Sequence, residues 1–295
     1  MKKYYNIGRD SLYNLNRSIT GKGVVSTLKI IKKEFPNLKI KKINSGHKAF
    51  DWRVPPEWNV KKAFIVDKNG KKIVDFDDNN LHLVGYSKPI YKIMRKSELF
   101  KNFHYLKNQP EAIPYVTSYY KRRWGFCVSY KEYKRLNKQY SNQDKFKVVI
   151  DSEFNVKGKL TYGELKIKGK SSNEILISTY ICHPSMANNE LSGPIVSMGL
   201  INYFQKMDNK KTLRFLFVPE TIGSISYLSL NYEKIKKTVI GGFNLSCIGD
   251  ERSHSCMLSK YENSPSDKAL IEAYKKLKIK KYKVHSFLKR GSDER

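Results

Sequence analysis

Two side chains that could transfer protons or bind a metal stand directly after strongly apolar stretches of the chain. His183 follows residues 175–182, and Glu220 follows residues 213–218 after a single proline. Both stretches are rich in β-branched or aromatic residues, which is typical of strands buried on both faces of a parallel sheet. A histidine beside a polar loop can ligate a metal, and a carboxylate before a glycine turn and a helix is placed for general-base work.

The elements around these side chains must bring them to one edge of a sheet. Pro184 lacks an amide hydrogen and disfavours helix at His183, so the first strand ends there and the polar loop 185–194 follows. Residues 238–248 predict a third strand, which delivers Ser246 toward the same edge. Because ligands bind outside the carboxyl ends of the strands in an open α/β sheet, we expect the site at that edge.

Six separated segments of the chain carry a resemblance to a known family. They are NRSITGKGV at 16–24, SGHKAFDWRVPPEWNV at 45–60, YYKRRWGFC at 119–127, CHPSMANNELSGP at 182–194, PETIGS at 219–224 and RGSDER at 290–295. In this order they resemble the bacterial aminopeptidase-like proteins associated with polysaccharide biosynthesis. That resemblance implies an α/β fold, a three-layer zinc-exopeptidase-like domain with a mixed sheet and a small β-rich insertion.

The insertion is also visible in the residue pattern. Short alternating segments flank Asn69-Gly70, which is a hairpin signal, and the stretch 50–114 differs in character from the rest of the chain. We therefore predict an inserted β-rich subdomain at 50–114 within a discontinuous aminopeptidase-like domain, residues 1–49 and 115–295. Its aromatic residues suit packing better than a lid or sugar platform.

The resemblance also implies roles for individual residues. His183 corresponds to a zinc ligand, and Asn189 stands where the family has a ligating aspartate, so its neutral amide is a weaker ligand. Glu220 corresponds to the catalytic base, and Arg17 and Arg122 are candidate substrate-binding residues. Two further carboxylate ligands of the co-catalytic enzymes are replaced here by Thr221 and Ser246. One zinc ion at most is therefore expected, weakly bound if Asn189 cannot replace aspartate.

The last ligand of the family is a histidine beyond the RGSDER motif, so the chain resembles a C-terminally truncated relative. His254 and His285 are possible substitutes for that ligand. The expected function is a zinc-dependent aminopeptidase-like hydrolase of amide bonds with a degenerate metal site, linked to surface polysaccharide biosynthesis. It would act on a small peptide or amino-sugar, with little or no peptidase activity. The alternative is a catalytically inactive relative that binds a saccharide or a protein.

Composition limits the other classes of function. The net charge is +30 from 57 basic and 27 acidic residues, but the excess is mostly lysine spread along the whole chain, so we expect no specific nucleic-acid partner. No apolar stretch is long enough to predict a membrane-spanning helix, and no secretory signal is visible at the start. The four cysteines have no CxxC spacing, and we expect a cytoplasmic protein of unspecified oligomeric state.

Overall fold

The computed structural model describes residues 1–291 and 293, and these form two compact units. The first unit comprises Met1–Val54 and Lys159–Arg295, and the second comprises Pro55–Gly158. The second unit begins five residues after the start of the predicted insertion 50–114 and ends more than forty residues beyond its end. Each unit has its own sheet.

The helices and strands are numbered in chain order. The helices are α1 (Lys2–Ile7), α2 (Lys22–Glu34), α3 (Lys96–Leu99), α4 (Tyr130–Gln139), α5 (Ser192–Phe204), α6 (Ile222–Thr238) and α7 (Pro265–Lys276). The strands are β1 (Lys39–Asn44), β2 (Lys48–Ala49), β3 (Trp52–Arg53), β4 (Glu57–Val66), β5 (Lys72–Asp75), β6 (Ile90–Arg95), β7 (Phe103–His104), β8 (Phe126–Cys127), β9 (Lys145–Asn155), β10 (Lys159–Ile167), β11 (Ser171–Tyr180), β12 (Lys211–Val218), β13 (Val239–Asn244), β14 (His254–Met257) and β15 (Tyr282–His285).

The first unit is built on a five-stranded mixed sheet in the order β1-β10-β12-β11-β13. Strands β12, β11 and β13 run parallel, whereas β1 and β10 pair antiparallel, as do β10 and β12. In the centre, Ile175 of β11 lies opposite Leu213 of β12 and Gly241 of β13. The predicted mixed α/β sheet is confirmed, and the three strands expected to carry the site are immediate neighbours.

Helices α1, α2 and α5 contribute to an apolar core with this sheet. Helix α2 buries Val24, Leu28 and Ile31, whose spacing of three and four residues places them on one face. The core contains the following buried residues: Tyr4, Leu12, Val24, Leu28, Ile31, Phe35, Leu38, Leu165, Ile167, Ile177, Ile181, Leu191, Met198, Ile201, Leu213, Phe215 and Phe217. This apolar layer stabilises the strands that end at the candidate site.

A buried ion network is also built on the sheet. The Arg214 guanidinium donates from Nη1 to Glu164 Oε1 at 2.5 Å and from Nε to Glu174 Oε2 at 2.5 Å. It also donates from Nη1 to the hydroxyl of Tyr227 on α6 at 3.0 Å. Arg214 is 1% exposed, and both carboxylates are buried. The opposite charges therefore compensate one another away from water.

The second unit is a four-stranded antiparallel sheet in the order β5-β4-β9-β6. Strands β4 and β5 form the hairpin that Asn69-Gly70 predicted, and Gly70 has the positive φ of 82° that favours glycine. Residues 145–151 do not pair with the main sheet. They belong to β9, which pairs with β4 and β6 of the second unit.

Aromatic packing dominates the interior of the second unit. Trp58 and Tyr86 are buried and stack with ring centroids 5.4 Å apart, and Trp58 Nε1 donates to the carbonyl of Ser87 at 3.0 Å. Phe154 packs on Tyr86 at 6.2 Å and carries the Arg122 guanidinium 3.6 Å above its ring. Trp58 and Tyr86 therefore serve as core residues.

The end of the first unit is packed differently from the rest. Between Val239 and Gly291 the only buried residues are Cys256 and Asp267, although the segment contains β13, β14, β15 and α7. Helix α7 begins with a capping box formed by Ser264 and Asp267, and its Tyr274 donates to the carbonyl of Ser255 at 3.0 Å. No helix among residues 1–291 is both long and apolar enough to cross a membrane.

Candidate active site

His183 follows β11, and both of its ring nitrogens face carboxylates. Its Nδ1 lies 2.7 Å from Oε2 of Glu190, and its Nε2 lies 2.9 Å from Oε2 of Glu220. The backbone N–H of His183 also donates to Oε1 of Glu190 at 2.8 Å. Glu190 is 1% exposed, whereas Glu220 is partly exposed. One carboxylate thus fixes the orientation of the ring from inside, and the other meets it from the more open side.

Glu220 reaches this position because β12 is the parallel neighbour of β11. Tyr180 at the end of β11 is in register with Val218 at the end of β12. Beyond these ends, the backbone N–H of Glu220 points to Sγ of Cys182 at 3.1 Å. The sequence predicted that His183 and Glu220 would lie close together, and the structure places their side chains in direct contact.

Arg17 lies behind the site and out of solvent. Its Nε donates to the carbonyl of His183 at 2.9 Å and lies 3.8 Å from Oε1 of Glu190. A further hydrogen bond joins its Nη1 to the carbonyl of Leu12. The side chains of Arg17 and Glu190 are both fully buried, so Arg17 supplies the positive charge that a buried carboxylate needs. In this structure Arg17 supports the His183 loop from within the protein.

The surroundings of His183 favour its protonated form. Burial alone would lower the pKa of His183, but its neighbours Cys182, Glu190 and Glu220 raise that pKa well above its usual range. Burial raises the pKa of Cys182 to about 11, so this thiol is neutral at pH 7. The two carboxylates therefore supply the negative charge that stabilises the imidazolium.

The same result argues against a cysteine nucleophile. Cys182, His183 and Glu190 bring a sulfur, a ring nitrogen and a carboxylate oxygen within 4.8 Å of one another. Sγ of Cys182 is nevertheless 3.9 Å from His183 Nδ1, and Glu190 binds that same nitrogen at 2.7 Å. A buried thiol with a raised pKa is unreactive. We therefore assign Cys182 to the packing of the site.

Asn189 has a polar atom that fits a cation. Among the described residues its Oδ1 is buried and has no hydrogen-bond donor, and its Nδ2 lies 3.7 Å from Sγ of Cys247. An unbonded buried carbonyl oxygen suits a metal ion, since buried acceptors otherwise find a donor. The chain thus offers an imidazole and an amide oxygen, fewer than the three protein ligands of a catalytic zinc. A zinc ion held by these two donors alone would be bound weakly.

Strained backbone follows each of the three parallel strands. Ser185 after β11, Thr221 after β12 and Cys247 after β13 have φ values of 44°, 57° and 53° although none is glycine. Such conformations cost on the order of 1–3 kcal/mol each and persist only where the surrounding structure enforces them. Three such residues at one edge of the sheet make that edge a candidate functional site.

The backbone of Gly193 lies close to Thr179 and Leu245 at this edge of the sheet. A Cβ atom at this position would lie 2.0 Å from Thr179 Oγ1 and 2.2 Å from the carbonyl of Leu245. Thr179 Oγ1 itself donates to that carbonyl at 3.0 Å, which ties β11 to the chain after β13. Only glycine leaves room for this contact at the start of α5.

Gly193→Ala is therefore expected to destabilise the protein by about 1–3 kcal/mol, because overpacking moves backbone. Urea unfolding followed by circular dichroism measures the change. Gly199→Ala on the same helix is the matched control, since its added Cβ meets only the flexible side chain of Met1. Equal stability of the two variants would contradict the role of Gly193.

The structure also describes the other candidate residues. Arg122 belongs to the second unit, where it stacks on Phe154. His254 and His285 lie on β14 and β15, and neither belongs to the cluster of possible metal ligands found among the described residues. Ser246 Oγ lies 3.7 Å from Sγ of Cys247. Of the RGSDER motif, Ser292, Glu294 and Arg295 lie outside the described residues.

The family of the chain follows from a comparison of its sequence with known families. A family model described as a domain of unknown function, DUF4910, matches residues 5–295. The chain belongs to this family. This DUF4910 chain is 41% identical over 286 residues to a protein from Clostridium acetobutylicum, named as a candidate polysaccharide biosynthesis protein with an aminopeptidase-like domain. The match covers 97% of this chain and 64% of the relative, so the chain spans less than two thirds of that relative's length.

Solved structures agree with this assignment. A crystal structure of a candidate peptidase from Clostridium acetobutylicum is similar with a TM-score of 0.92 and 40% identity, over 99% of this chain and 67% of that one. The zinc aminopeptidase BSAP of Bacillus subtilis matches with a TM-score of 0.65 and 12% identity, over 96% and 78%. At that identity the second similarity shows the fold alone. The zinc-aminopeptidase fold and the aminopeptidase-like family of this DUF4910 chain are confirmed.

Proposed function

We propose that this chain is an aminopeptidase-like metallohydrolase domain that cleaves amide bonds with the help of one weakly held zinc ion. The observation that carries the proposal is the contact of His183 Nε2 with Glu220 Oε2 at 2.9 Å, at the ends of two parallel strands. Zinc, when bound, would polarise the scissile carbonyl and activate water. His183 and Asn189 are the proposed ligands, and Glu220 is the proposed base.

The protein's own groups account for most of the proposed chemistry. Glu190 holds Nδ1 of His183, so Nε2 is the ring nitrogen directed to the ligand. Glu220 is partly exposed beside this nitrogen and can accept a proton from water and return it to the leaving amine. Arg17 neutralises Glu190 from the interior.

The proposed substrate is a small peptide or an amino-sugar carrying an amide bond. Support comes from the name of the Clostridium acetobutylicum relative, which combines polysaccharide biosynthesis with an aminopeptidase-like domain. Hydrolysis of aminoacyl amides and of N-acylated amino-sugars, each with and without added zinc, tests this proposal. Release of free amine that requires zinc and is removed by a chelator is the expected result.

Zinc binding is expected to release a proton and to tighten as the pH rises. The neighbours of His183 raise its pKa and favour its protonated form, whereas a metal ligand must be neutral, so the proton competes with zinc. Displacing one proton makes the affinity rise about tenfold per pH unit below that pKa. Calorimetry in two buffers with different ionisation enthalpies measures the released proton.

Substitutions separate the proposed ligand from the other histidines. His183→Ala should abolish zinc binding, whereas His254→Ala and His285→Ala should leave it unchanged, since both lie on the separate β14–β15 pair. If zinc binding survives in His183→Ala but is lost in His254→Ala or His285→Ala, the zinc ligand lies on β14 or β15 and the proposed role of His183 is wrong.

A second candidate function is supported by the contacts of His183 with both Glu190 and Glu220. Both ring nitrogens of His183 contact carboxylates, which gives a Glu–imidazolium–Glu cluster. Such a cluster suits a catalytically inactive relative that binds a saccharide or a protein. Amino-sugar binding by calorimetry, with no turnover at saturating zinc, would favour this second function.

A further inference from the structure

The loop after β12 contains an unusual backbone conformation directly beside the proposed base. Thr221 has φ 57° and ψ −79°, close to the rare γ-turn with positive φ. A β-branched residue is a genuine outlier there, because its side chain crowds the backbone. Glu220 immediately precedes it, so relaxation of Thr221 would turn the Glu220 carboxylate away from His183. Some contact must hold the turn.

Asp293 makes that contact from a distant part of the chain. Its Oδ1 accepts the backbone N–H of Thr221 at 2.6 Å, and its Oδ2 accepts the hydroxyl of Ser224 at 2.5 Å. Thr221 is the residue at the N-terminus of α6, a helix of 17 residues, where a carboxylate also interacts favourably with the helix dipole. Both oxygens of Asp293 are thus bonded to the turn that carries Glu220.

We infer that Asp293 is a positioning residue, which locks the strained Thr221 turn and thereby keeps Glu220 directed at His183 Nε2. The inference rests on the proposed function for the role of Glu220. It explains why the chain contains both PETIGS and RGSDER, since Asp293 lies 72 residues from Thr221 in sequence and meets it in the fold. Asp293 accepts hydrogen bonds from Thr221 and Ser224, so it acts on Glu220 through the Thr221 turn.

The test asks whether removing the backbone strain at Thr221 reverses the effect of losing Asp293. Asp293→Ala should reduce zinc-dependent amide hydrolysis by about 10- to 100-fold, the usual effect of removing a partner that orients a catalytic group. Thr221→Gly should restore much of the loss when combined with Asp293→Ala, because glycine adopts positive φ without penalty. A purely structural role of Asp293 gives no reason for such a rescue.

A matched control separates positioning from general destabilisation. Asp67 in the second unit accepts the backbone N–H groups of Asn69 and Lys71 and the hydroxyl of Tyr140, the same kinds of bond that Asp293 makes. Asp67→Ala should lower stability but leave hydrolysis and its pH profile unchanged. Asp293→Asn, which keeps the size of the side chain, serves if Asp293→Ala does not fold.

A second measurement does not depend on enzymatic activity. The ring nitrogens of His183 in the zinc-free, ¹⁵N-labelled protein report whether Nε2 is bonded to Glu220, and Glu220→Gln provides the reference for the broken contact. Asp293→Ala should shift the Nε2 resonance toward this reference, and the added Thr221→Gly should shift it back. If wild-type protein hydrolyses nothing, the proposed function fails while this measurement still decides the inference.

Two results would overturn the inference. One is an Nε2 resonance of His183 that stays at its wild-type position in Asp293→Ala and Asp293→Asn. The other is a shift that Thr221→Gly does not reverse, because the strained turn would then not be the link between Asp293 and Glu220.

Discussion

Replacing Glu220 with glutamine is expected to reduce zinc-dependent amide hydrolysis by about 10²–10⁴-fold, the usual contribution of a positioned general base. Glutamine keeps the shape of the side chain but cannot take up a proton from water. The contact with His183 Nε2, now 2.9 Å, would also lose its charge. Initial rates at saturating zinc, measured with an aminoacyl amide that releases a chromophore, give the size of the effect.

Zinc affinity in the same variant distinguishes a base from a ligand. If Glu220 acts only as the base, Glu220→Gln binds zinc at least as well as wild type, because it no longer stabilises the proton on His183. Glu233→Gln is the matched control, since Glu233 lies exposed on α6. A Glu220→Gln variant with wild-type turnover would refute the proposed mechanism.

Arg214→Met is expected to lower the free energy of unfolding by about 3 kcal/mol, the lower end for a broken buried ion pair. The variant leaves Glu164 and Glu174 in the interior without their shared guanidinium. The effect stays near the lower end because Lys41 still reaches Glu164 at 2.6 Å, and Lys166 reaches Glu174 at 2.5 Å. Urea unfolding at pH 7 measures the difference.

The loss of stability in Arg214→Met is also expected to depend on pH, and the direction of that dependence follows from the pKa of Glu174. Burial would raise the pKa of Glu174, but Arg214 and Lys166 outweigh it and hold that pKa below its usual value. The stabilisation by Glu174 is therefore present at neutral pH and is lost as the pH falls through its folded-state pKa. The gap between wild type and Arg214→Met should narrow at acidic pH. Lys41→Met, which removes a half-exposed partner of Glu164, should cost under about 1 kcal/mol at pH 7.

The part of the fold that follows from hydrophobic pattern was predictable. Residues 175–181 and 213–218 are continuous apolar runs, and such runs become neighbouring buried strands because both faces must be covered. Since both strands are parallel, the residues after them meet at one edge, and this brought His183 and Glu220 together. The Asn69-Gly70 hairpin followed from local turn chemistry in the same way.

The remaining features depend on tertiary contacts that the pattern does not specify. The residue pattern of 145–151 predicts a β-strand, but such a pattern does not specify the partner strand. In the structure these residues belong to β9, which pairs with β4 in the second sheet. Glu190 stands beside Asn189 in the sequence, but its contact with Nδ1 of His183 depends on the geometry of the 187–191 turn. The positive φ of Thr221 could not be predicted, because threonine is not a residue type that favours this conformation.

The sparse packing between Val239 and Gly291 should affect how often the candidate site is correctly arranged. Residues 245–291, which follow β13, contain only two buried residues and are therefore expected to open at a lower free energy than the main sheet, so their amide hydrogens should exchange with solvent before those of β11 and β12. Asp293 follows this segment, and an opening that included Asp293 would release the Thr221 turn. If Asp293 positions Glu220 as inferred above, any interaction that stabilises residues 245–291 should increase the fraction of molecules in which Glu220 is aligned.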